Sequence, residues 1–321
     1  MNYSSFRILL SLGFCLLTGL AIQGCREPID FDIVAEEREL IVDGFITDQF
    51  NSHLIRLSYT ASVVDNIAPP NPATGAIVEI YDDLGNLFEV HEDRRGNYYT
   101  TAMRAEEGRA YQIVVTLNQR TYRSSFEALP PATRTPNLEI FWDTEDYREV
   151  QQGSLFINRQ GLSVNARIDK SVIVDRQPVY YQWFVSYCRR EVPLSGNSAR
   201  NCLVFGDITR PPQLYLHKDN YIPGLENTSY LTELNWFPKP NRFVITDVLV
   251  VEVDQFLMNA SAFDFWSRVQ NSIESRGTLF DPAGASILGN VEDTSTGNLT
   301  LGYFGVYREA GNWEKFIANG F

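Results

Sequence analysis

The chain has 321 residues, of which 40 are acidic and 27 are basic, so its formal net charge at pH 7 is −13. A surface this acidic repels phosphate groups, and nucleic acids are therefore excluded as partners. The length exceeds the usual size of one domain, so the chain is predicted to fold into two domains.

The first 24 residues have the layout of a secretory signal peptide. Arg7 supplies the positive charge, and the apolar stretch 8–22 is shorter than a transmembrane helix requires. The segment ends in Ile22-Gln23-Gly24-Cys25, which is similar to a lipobox. We therefore predict cleavage before Cys25 and lipid attachment to its thiol, because two or three acyl chains form a stable anchor. The alternative is an ordinary signal peptide with a cysteine at this position by chance.

The residues that follow the cleavage site indicate which membrane holds the anchor. Arg26 occupies the position where an aspartate would retain a lipoprotein in the inner membrane, and the tether 25–37 is acidic. Its spread acidic residues resemble the export signal of Bacteroidetes surface lipoproteins. The sequence therefore predicts an outer-membrane lipoprotein exposed at the cell surface, with a periplasmic orientation as the alternative.

Two of the four cysteines remain once the signal peptide is removed and the anchor is formed, because Cys15 leaves and Cys25 carries the lipid. The remaining pair, Cys188 and Cys202, would lie in an oxidising compartment, which favours a disulfide. The disulfide would close the loop from residue 188 to residue 202, and closing a loop of that size stabilises a fold by about 3 kcal/mol. Two free thiols, or half of a metal site, are the alternatives.

Residues 38–130 have the pattern of short strands separated by turns. The segments rich in alternating apolar, aromatic and β-branched residues are 39–47, 53–59, 76–81, 87–90, 98–101, 111–117 and 121–126. About seven strands at this spacing predict an antiparallel Ig/transthyretin-like β-sandwich. Residues 82–86 are predicted to be a hairpin turn and not a calcium loop, because the alternate carboxylates and the terminal glutamate are missing.

A proline cluster at residues 130–136 marks a predicted linker to a second β-rich domain, residues 136–321. Alternating residues over 162–168 and 179–187 predict strands in this domain. The nearly continuous apolar run 243–253 is typical of a strand that is buried on both faces.

One amphipathic helix is predicted over residues 261–276 of the second domain. Ser261 and Asp264 fit a capping box at its start, and Gly277 lies where a C-cap is expected. The apolar face is expected to pack on the second sheet. Binding to a membrane or to a partner is the alternative.

A long proline-rich stretch between Cys188 and Pro240 contains the candidate binding residues. Loops this long inside a domain are usually functional or disordered. Tyr215, Tyr221 and Trp236 are predicted to form a contact surface, because aromatic side chains suit both sugar stacking and protein hot spots. The alternative is that each of them fills the core beneath the loop.

Sequence motifs for catalysis, cofactors or metals are missing. His53, His91 and His217 lack metal-ligand spacing. The sequence contains no Gly-x-Ser-x-Gly elbow, no phosphate-binding glycine loop and no His-Glu-x-x-His motif. We therefore predict a protein that is not an enzyme and binds no cofactor. A surface hydrolase that uses two carboxylates is the alternative, since 40 acidic residues always allow such a pair.

Short fragments along the chain, taken together, resemble a known family. They are LIVDGFITD at 40–48, GAIVEI at 75–80, GNYY at 96–99, GRAY at 108–111, the pair Cys188 and Cys202, AFDFW at 262–266, LFDP at 279–282, GNV at 289–291 and LGYF at 301–304. In this order they are similar to the Bacteroidetes lipoprotein family named domain of unknown function 4249. The resemblance implies a cell-envelope lipoprotein, often encoded beside a TonB-dependent receptor, and it implies no catalytic residues.

These features together predict a non-enzymatic accessory lipoprotein of the outer membrane. Such a protein would work with a TonB-dependent receptor to capture or deliver a nutrient. A structural or adhesive protein of the cell envelope is the alternative, because β-sandwich modules also serve as spacers and as protein-binding units.

Overall fold

Strands make up most of the described chain, as its aromatic and β-branched residues favour. The computed structural model describes residues 38–60, 71–132, 138–152, 155–169, 178–190, 203–204, 215–219, 229–238, 248–274 and 286–317. The predicted signal peptide, Cys25, the acidic tether, Cys202 and Tyr221 lie outside these residues.

The elements within the described residues are eighteen strands and one helix. The strands are β1 (Leu40–Thr47), β2 (Leu54–Tyr59), β3 (Asn71–Pro72), β4 (Ile77–Asp82), β5 (Leu87–Arg94), β6 (Asn97–Thr100), β7 (Ala110–Leu117), β8 (Arg120–Ser124), β9 (Glu127–Ala128), β10 (Leu138–Gln152), β11 (Leu155–Asp169), β12 (Val179–Arg190), β13 (Leu203–Val204), β14 (Tyr215–Asp219), β15 (Ser229–Pro238), β16 (Val248–Met258), β17 (Leu288–Asp293) and β18 (Leu299–Ile317). The helix is α1 (Ala260–Glu274).

Nine strands form a closed barrel in the order β1, β2, β6, β5, β4, β7, β8, β17 and β18. Neighbouring strands are antiparallel except at the closure, where β1 runs parallel to β18 from the pair Ile41–Leu301 to the pair Thr47–Tyr307. The inward-facing side chains form one apolar core, whose fully buried members include Val42, Ile46, Ile55, Leu57, Ile80, Ile113, Val115, Val291 and Phe304.

The barrel corrects the predicted Ig/transthyretin-like sandwich. The prediction of a mostly β protein is confirmed, but the strands of the first segment close on themselves with the help of β17 and β18. Alternating apolar residues indicate which face of a strand is buried, and they do not indicate which strands are neighbours. The closing strands lie far along the sequence, so no local pattern predicts their position. The division of the chain into domains 38–130 and 136–321 stays a prediction.

The strand β18 belongs both to the barrel and to a second sheet. It is 19 residues long, and its first part pairs with β1 and β17. From Arg308 onward it pairs with β16, up to the pair Val248–Ile317. β16 pairs in turn with β12, and β12 also pairs with β13 and β14.

A separate sheet of three strands, in the order β10, β11 and β15, packs against the second sheet. Apolar side chains from both sheets form a second core. Its buried members are Leu138, Ile140, Val164, Ala166, Ile168, Val179, Tyr181, Trp183, Leu234, Val251, Val253 and Leu257. Two sheets therefore face each other in this part of the chain, and the intervening side chains are excluded from water.

The helix α1 confirms the predicted amphipathic helix to within two residues at each end. Its apolar face packs on the second sheet and on the barrel part of β18, in a cluster with Phe256, Met258, Tyr303 and Tyr307. The predicted capping box is wrong, because α1 begins at Ala260 and Ser261 therefore lies inside the helix. The Ser261 hydroxyl donates to Glu127, and Asp264 pairs with Arg268 at 3.3 Å.

Glu127 of β9 connects the barrel to the helix. The residue is 5% exposed, and its carboxylate accepts hydrogen bonds from five neutral donors. These donors are Ser125 Oγ at 3.0 Å, Asn290 Nδ2 at 3.2 Å, Tyr303 Oη at 2.9 Å, Ser261 Oγ at 3.2 Å and Asn259 Nδ2 at 3.5 Å. A buried carboxylate needs such partners, because leaving it without hydrogen bonds would be costly. The network therefore fixes the start of α1 against the barrel.

Candidate functional site

The hairpin formed by β10 and β11 extends beyond the sheet to which it belongs. The strand β15 covers β11 only from the pair Asp169–Ser229 to the pair Gly161–Pro238. Residues 146–152 of β10 and 155–160 of β11 continue as a two-stranded ribbon, here called the arm. Among the described strands, none other pairs with either edge of the arm. Within the described residues, both backbone edges of the arm therefore lack a strand partner.

The end of the arm presents large apolar side chains to solvent. Leu155 is 67% exposed, Phe156 65% and Tyr147 59%. The ladder places Tyr147 opposite Gln160 and Gln151 opposite Phe156, so the two aromatic residues share one face of the ribbon. Single exposed apolar residues are common, but three at the end of one projecting ribbon make it a candidate contact region.

A network of charged side chains braces the base of the arm. Arg148 donates to Asp146 at 2.9 Å, to Glu233 of β15 at 3.0 Å and to Ser163 at 3.1 Å. The Arg148 guanidinium, and after it the Ser163 hydroxyl, hold the pKa of Asp146 below its ordinary value. The arm is thereby tied to β15 at the point where the sheet ends, which limits the directions in which it can bend.

Trp236, one of the predicted binding residues, lies at this base. The Arg148 guanidinium is 5.2 Å from the centre of its half-buried indole ring, within the range of a cation–π contact. A Cβ atom added at Gly161 would overlap the indole, so the ring packs directly on the backbone of β11. Trp236 therefore supports the arm, and its role in binding stays a prediction.

Of the other predicted site residues, the structure describes the backbone of Tyr215 and of Cys188. Tyr215 is in β14, opposite Trp183 of β12, and thus belongs to a different sheet. Tyr221 lies outside the described residues. Cys188 is in β12 opposite Val204, but Cys202 also lies outside the described residues, so the disulfide stays a prediction.

Sequence reasoning missed the arm. The signal that could have found it is Gly153-Ser154 between two stretches of polar and apolar residues, since this dipeptide favours a hairpin turn. The sequence does not show where β15 stops covering β11, and this determines which residues project.

A crevice lies where β18 leaves the barrel. Its volume is about 400 Å³, and one wall is the outer surface of β1 and β2. Phe256 of β16 and Glu309 of β18 form the opposite wall. The space arises because β18 turns from β1 to β16 after Tyr307, so the barrel wall and the second sheet diverge.

Neither a metal cluster nor a membrane span is found in the described part of the chain. No three His, Cys, Asp or Glu side chains there are grouped so that they could hold a metal ion. No helix among those residues combines the length and apolar character needed to cross a bilayer.

Comparison with known protein families identifies the family of this chain. The model of a family described as Domain of unknown function (DUF4249) matches residues 26–312. The chain belongs to this family. The DUF4249 match covers the arm, the crevice, the helix and both sheets, and it ends within β18. No curated protein matches the sequence.

Proposed function

We propose that this DUF4249 protein is a non-enzymatic outer-membrane lipoprotein that acts as the accessory partner of a TonB-dependent nutrient receptor. The lipobox and the acidic tether support the location, and the family resemblance supports the partnership. In this proposal the acyl chains on Cys25 hold the protein at the membrane, and the arm contacts the receptor.

The observation that carries the proposal is the arm with its exposed apolar end. Proteins normally cover or charge their strand edges, because an open edge pairs with other chains. A strand edge with apolar side chains beside it suits a protein partner, since main-chain hydrogen bonds supply affinity and side chains supply specificity. Glu149 of β10 pairs with Asn158 and shares the face of Tyr147 and Phe156, and it leaves Leu155 and Phe156 at the end of the ribbon.

Site-specific photo-crosslinking in outer membranes tests the proposal. A photoreactive phenylalanine analogue at position 156 should form a crosslink with a TonB-dependent receptor. The same analogue at Leu84, which is 74% exposed on the β4–β5 turn, is the matched control and should give no such product. Crosslinks from position 156 to matrix or adhesion proteins would contradict the proposal and favour a structural or adhesive role. Equal products from both positions would show that the arm is not the contact.

A further inference from the structure

The crevice between the barrel and the second sheet has two aromatic residues in its lining. Phe45 of β1 and Phe256 of β16 are in edge-to-face contact, with ring centres 5.5 Å apart. Phe256 is 7% exposed and also contacts Phe184 at 5.4 Å. The rings are held by neighbours on both sides, so the crevice has a preformed apolar floor.

The polar lining of the crevice has an excess of negative charge. Asp43 and Glu309 supply carboxylates, and Arg56 is the one positively charged residue of the lining, 3.6 Å from Asp43. The imidazole of His53 also lines the crevice, but burial lowers its pKa, and its Nε2 is 3.1 Å from the Met103 carbonyl oxygen. Burial thus favours the neutral form of the imidazole, and the two carboxylates of the lining outnumber its one guanidinium.

A further carboxylate, that of Asp254, lies near the crevice and adds to the acidic character of its surroundings. Asp254 and Glu309 lie on the same face of the second sheet, since Asp254 pairs with Gly311 and Phe256 pairs with Glu309. Burial, followed by the charges of Glu252 and Glu309, raises the pKa of Asp254. Burial also raises the pKa of Asp43, and Arg56 offsets only part of that rise. A positive charge placed in the crevice would favour the ionised forms of these carboxylates and offset their mutual repulsion.

We infer that the crevice binds a small organic ligand that carries a protonated amine beside an apolar group. The volume of about 400 Å³ is within the range of roughly 300–1,000 Å³ that is typical of ligand sites. The amine contacts Asp43 and Glu309, and the apolar group lies on Phe45 and Phe256. Anionic ligands are disfavoured because they would add to the negative charge. This inference goes beyond the proposed receptor partnership and does not depend on it.

Calorimetric titration of the purified chain with phenethylamine tests the inference, and 2-phenylethanol is the neutral probe of the same shape. Phenethylamine should bind saturably, and the alcohol should bind at least about tenfold more weakly, since tenfold corresponds to about 1.4 kcal/mol. Each of the variants Asp43→Asn and Glu309→Gln should weaken the binding of the amine by about tenfold or more, as expected for a lost charge-assisted hydrogen bond.

The control variant is Glu89→Gln, on an exposed side of β5 away from the crevice, and it should bind the amine as the unmodified chain does. Circular dichroism establishes that each variant is folded. The inference is overturned if phenethylamine does not bind saturably, if the alcohol binds equally well, or if neither crevice variant weakens binding. None of these results would change the crosslinks expected from the arm, so the two proposals fail separately.

Discussion

At the scale of single residues, the buried carboxylate of Glu127 joins several elements through hydrogen bonds. Its five donors come from β17, β18, the start of α1 and the chain next to β9. Because no cation is among these five partners, the network depends on correctly oriented neutral donors. Loss of one acceptor oxygen leaves buried donors without a partner.

The variant Glu127→Gln is therefore expected to lower the free energy of unfolding by about 1–3 kcal/mol. The substitution replaces one acceptor oxygen with an NH₂ group, which is itself a donor and cannot accept from the donors around it. Denaturation in guanidinium chloride measures the change. The control Glu89→Gln alters a carboxylate that is 69% exposed and should change stability by less than about 0.5 kcal/mol. Equal effects of the two variants would show that the network contributes nothing.

Asp82 provides a second prediction, on acid stability. Burial raises its pKa, but hydrogen bonds from Asn86 and Leu84 and the charge of Arg109 outweigh burial, so the pKa of Asp82 is below its ordinary value of 3.8. The folded protein therefore binds this proton less readily than the unfolded chain, and the resulting stability is present above pH 3.8. It is lost as the pH falls through the folded-state pKa.

The variant Asp82→Asn should thus melt at a lower temperature than the unmodified chain at pH 7, and the difference should shrink as the pH falls below 3.8. Thermal melting followed by circular dichroism at several pH values is the measurement. Asp93→Asn, at a site 67% exposed, is the control. A difference that stays constant with pH would mean that the charge of Asp82 is not the cause.

These two residues also show what the sequence can predict. The sequence predicts the turn at residues 82–86 because its contacts are local. The Asp82 carboxylate accepts from the backbone N–H groups of Leu84 and Asn86, two and four residues away. The role of Glu127 was not predicted, because Asn290 and Tyr303 are 163 and 176 residues away. Contacts across such separations follow from the fold and leave no local pattern.

At the scale of elements, α1 was predicted well and β18 was not. The helix has an apolar repeat that defines one buried face, and its length follows from that repeat. The first turn of α1 differs from the predicted capping box, and the Ser261 hydroxyl donates to the buried Glu127 of β9. The strand β18 changes its partner from β1 to β16, and the positions of these two strands cannot be predicted from the residues of β18 alone.

Closure of the barrel depends on a glycine in β18. Gly302 pairs with Val42 and has a φ of 84°, and a Cβ atom there would overlap the backbone oxygen of Val42. Gly302→Ala should therefore lower the free energy of unfolding by about 1–3 kcal/mol, through strain and loss of close pairing.

Gly311→Ala is the matched control for this substitution. Gly311 is in the same strand, and an added Cβ would find Asp254 Oδ1 at 3.5 Å, an ordinary contact. Chemical denaturation of both variants gives the comparison. Similar stability of the two variants would contradict a special role for Gly302 in closure.

At the scale of the whole molecule, one continuous strand joins the barrel to the second sheet. The parallel pairing of Ile41 with Leu301 joins positions near the two ends of the described chain. A prediction from the sequence identified strand-rich segments on both sides of the proline cluster. It could not identify this closure, because parallel neighbours need not be close in sequence.

The arm is the feature of the whole molecule that bears most directly on function. Trp236 was selected from the sequence as an aromatic contact residue, and the structure places it at the base of the arm. The exposed residues at the end were not selected, since Leu155 and Phe156 have the composition of an ordinary buried strand. Their exposure follows from the point at which β15 ends.

The most direct test of the proposed partnership is a pull-down of the tagged, lipidated protein from gently solubilised outer membranes, read by mass spectrometry. The unmodified protein should bring a TonB-dependent receptor in equal amount, and Leu155→Ser/Phe156→Ser should lose it. The control Leu84→Ser/Phe50→Ser removes one leucine and one phenylalanine of similar exposure, 74% and 68%, and should retain the receptor. If the unmodified protein comes alone or with adhesion proteins, or if the arm variant keeps the receptor, the account is contradicted.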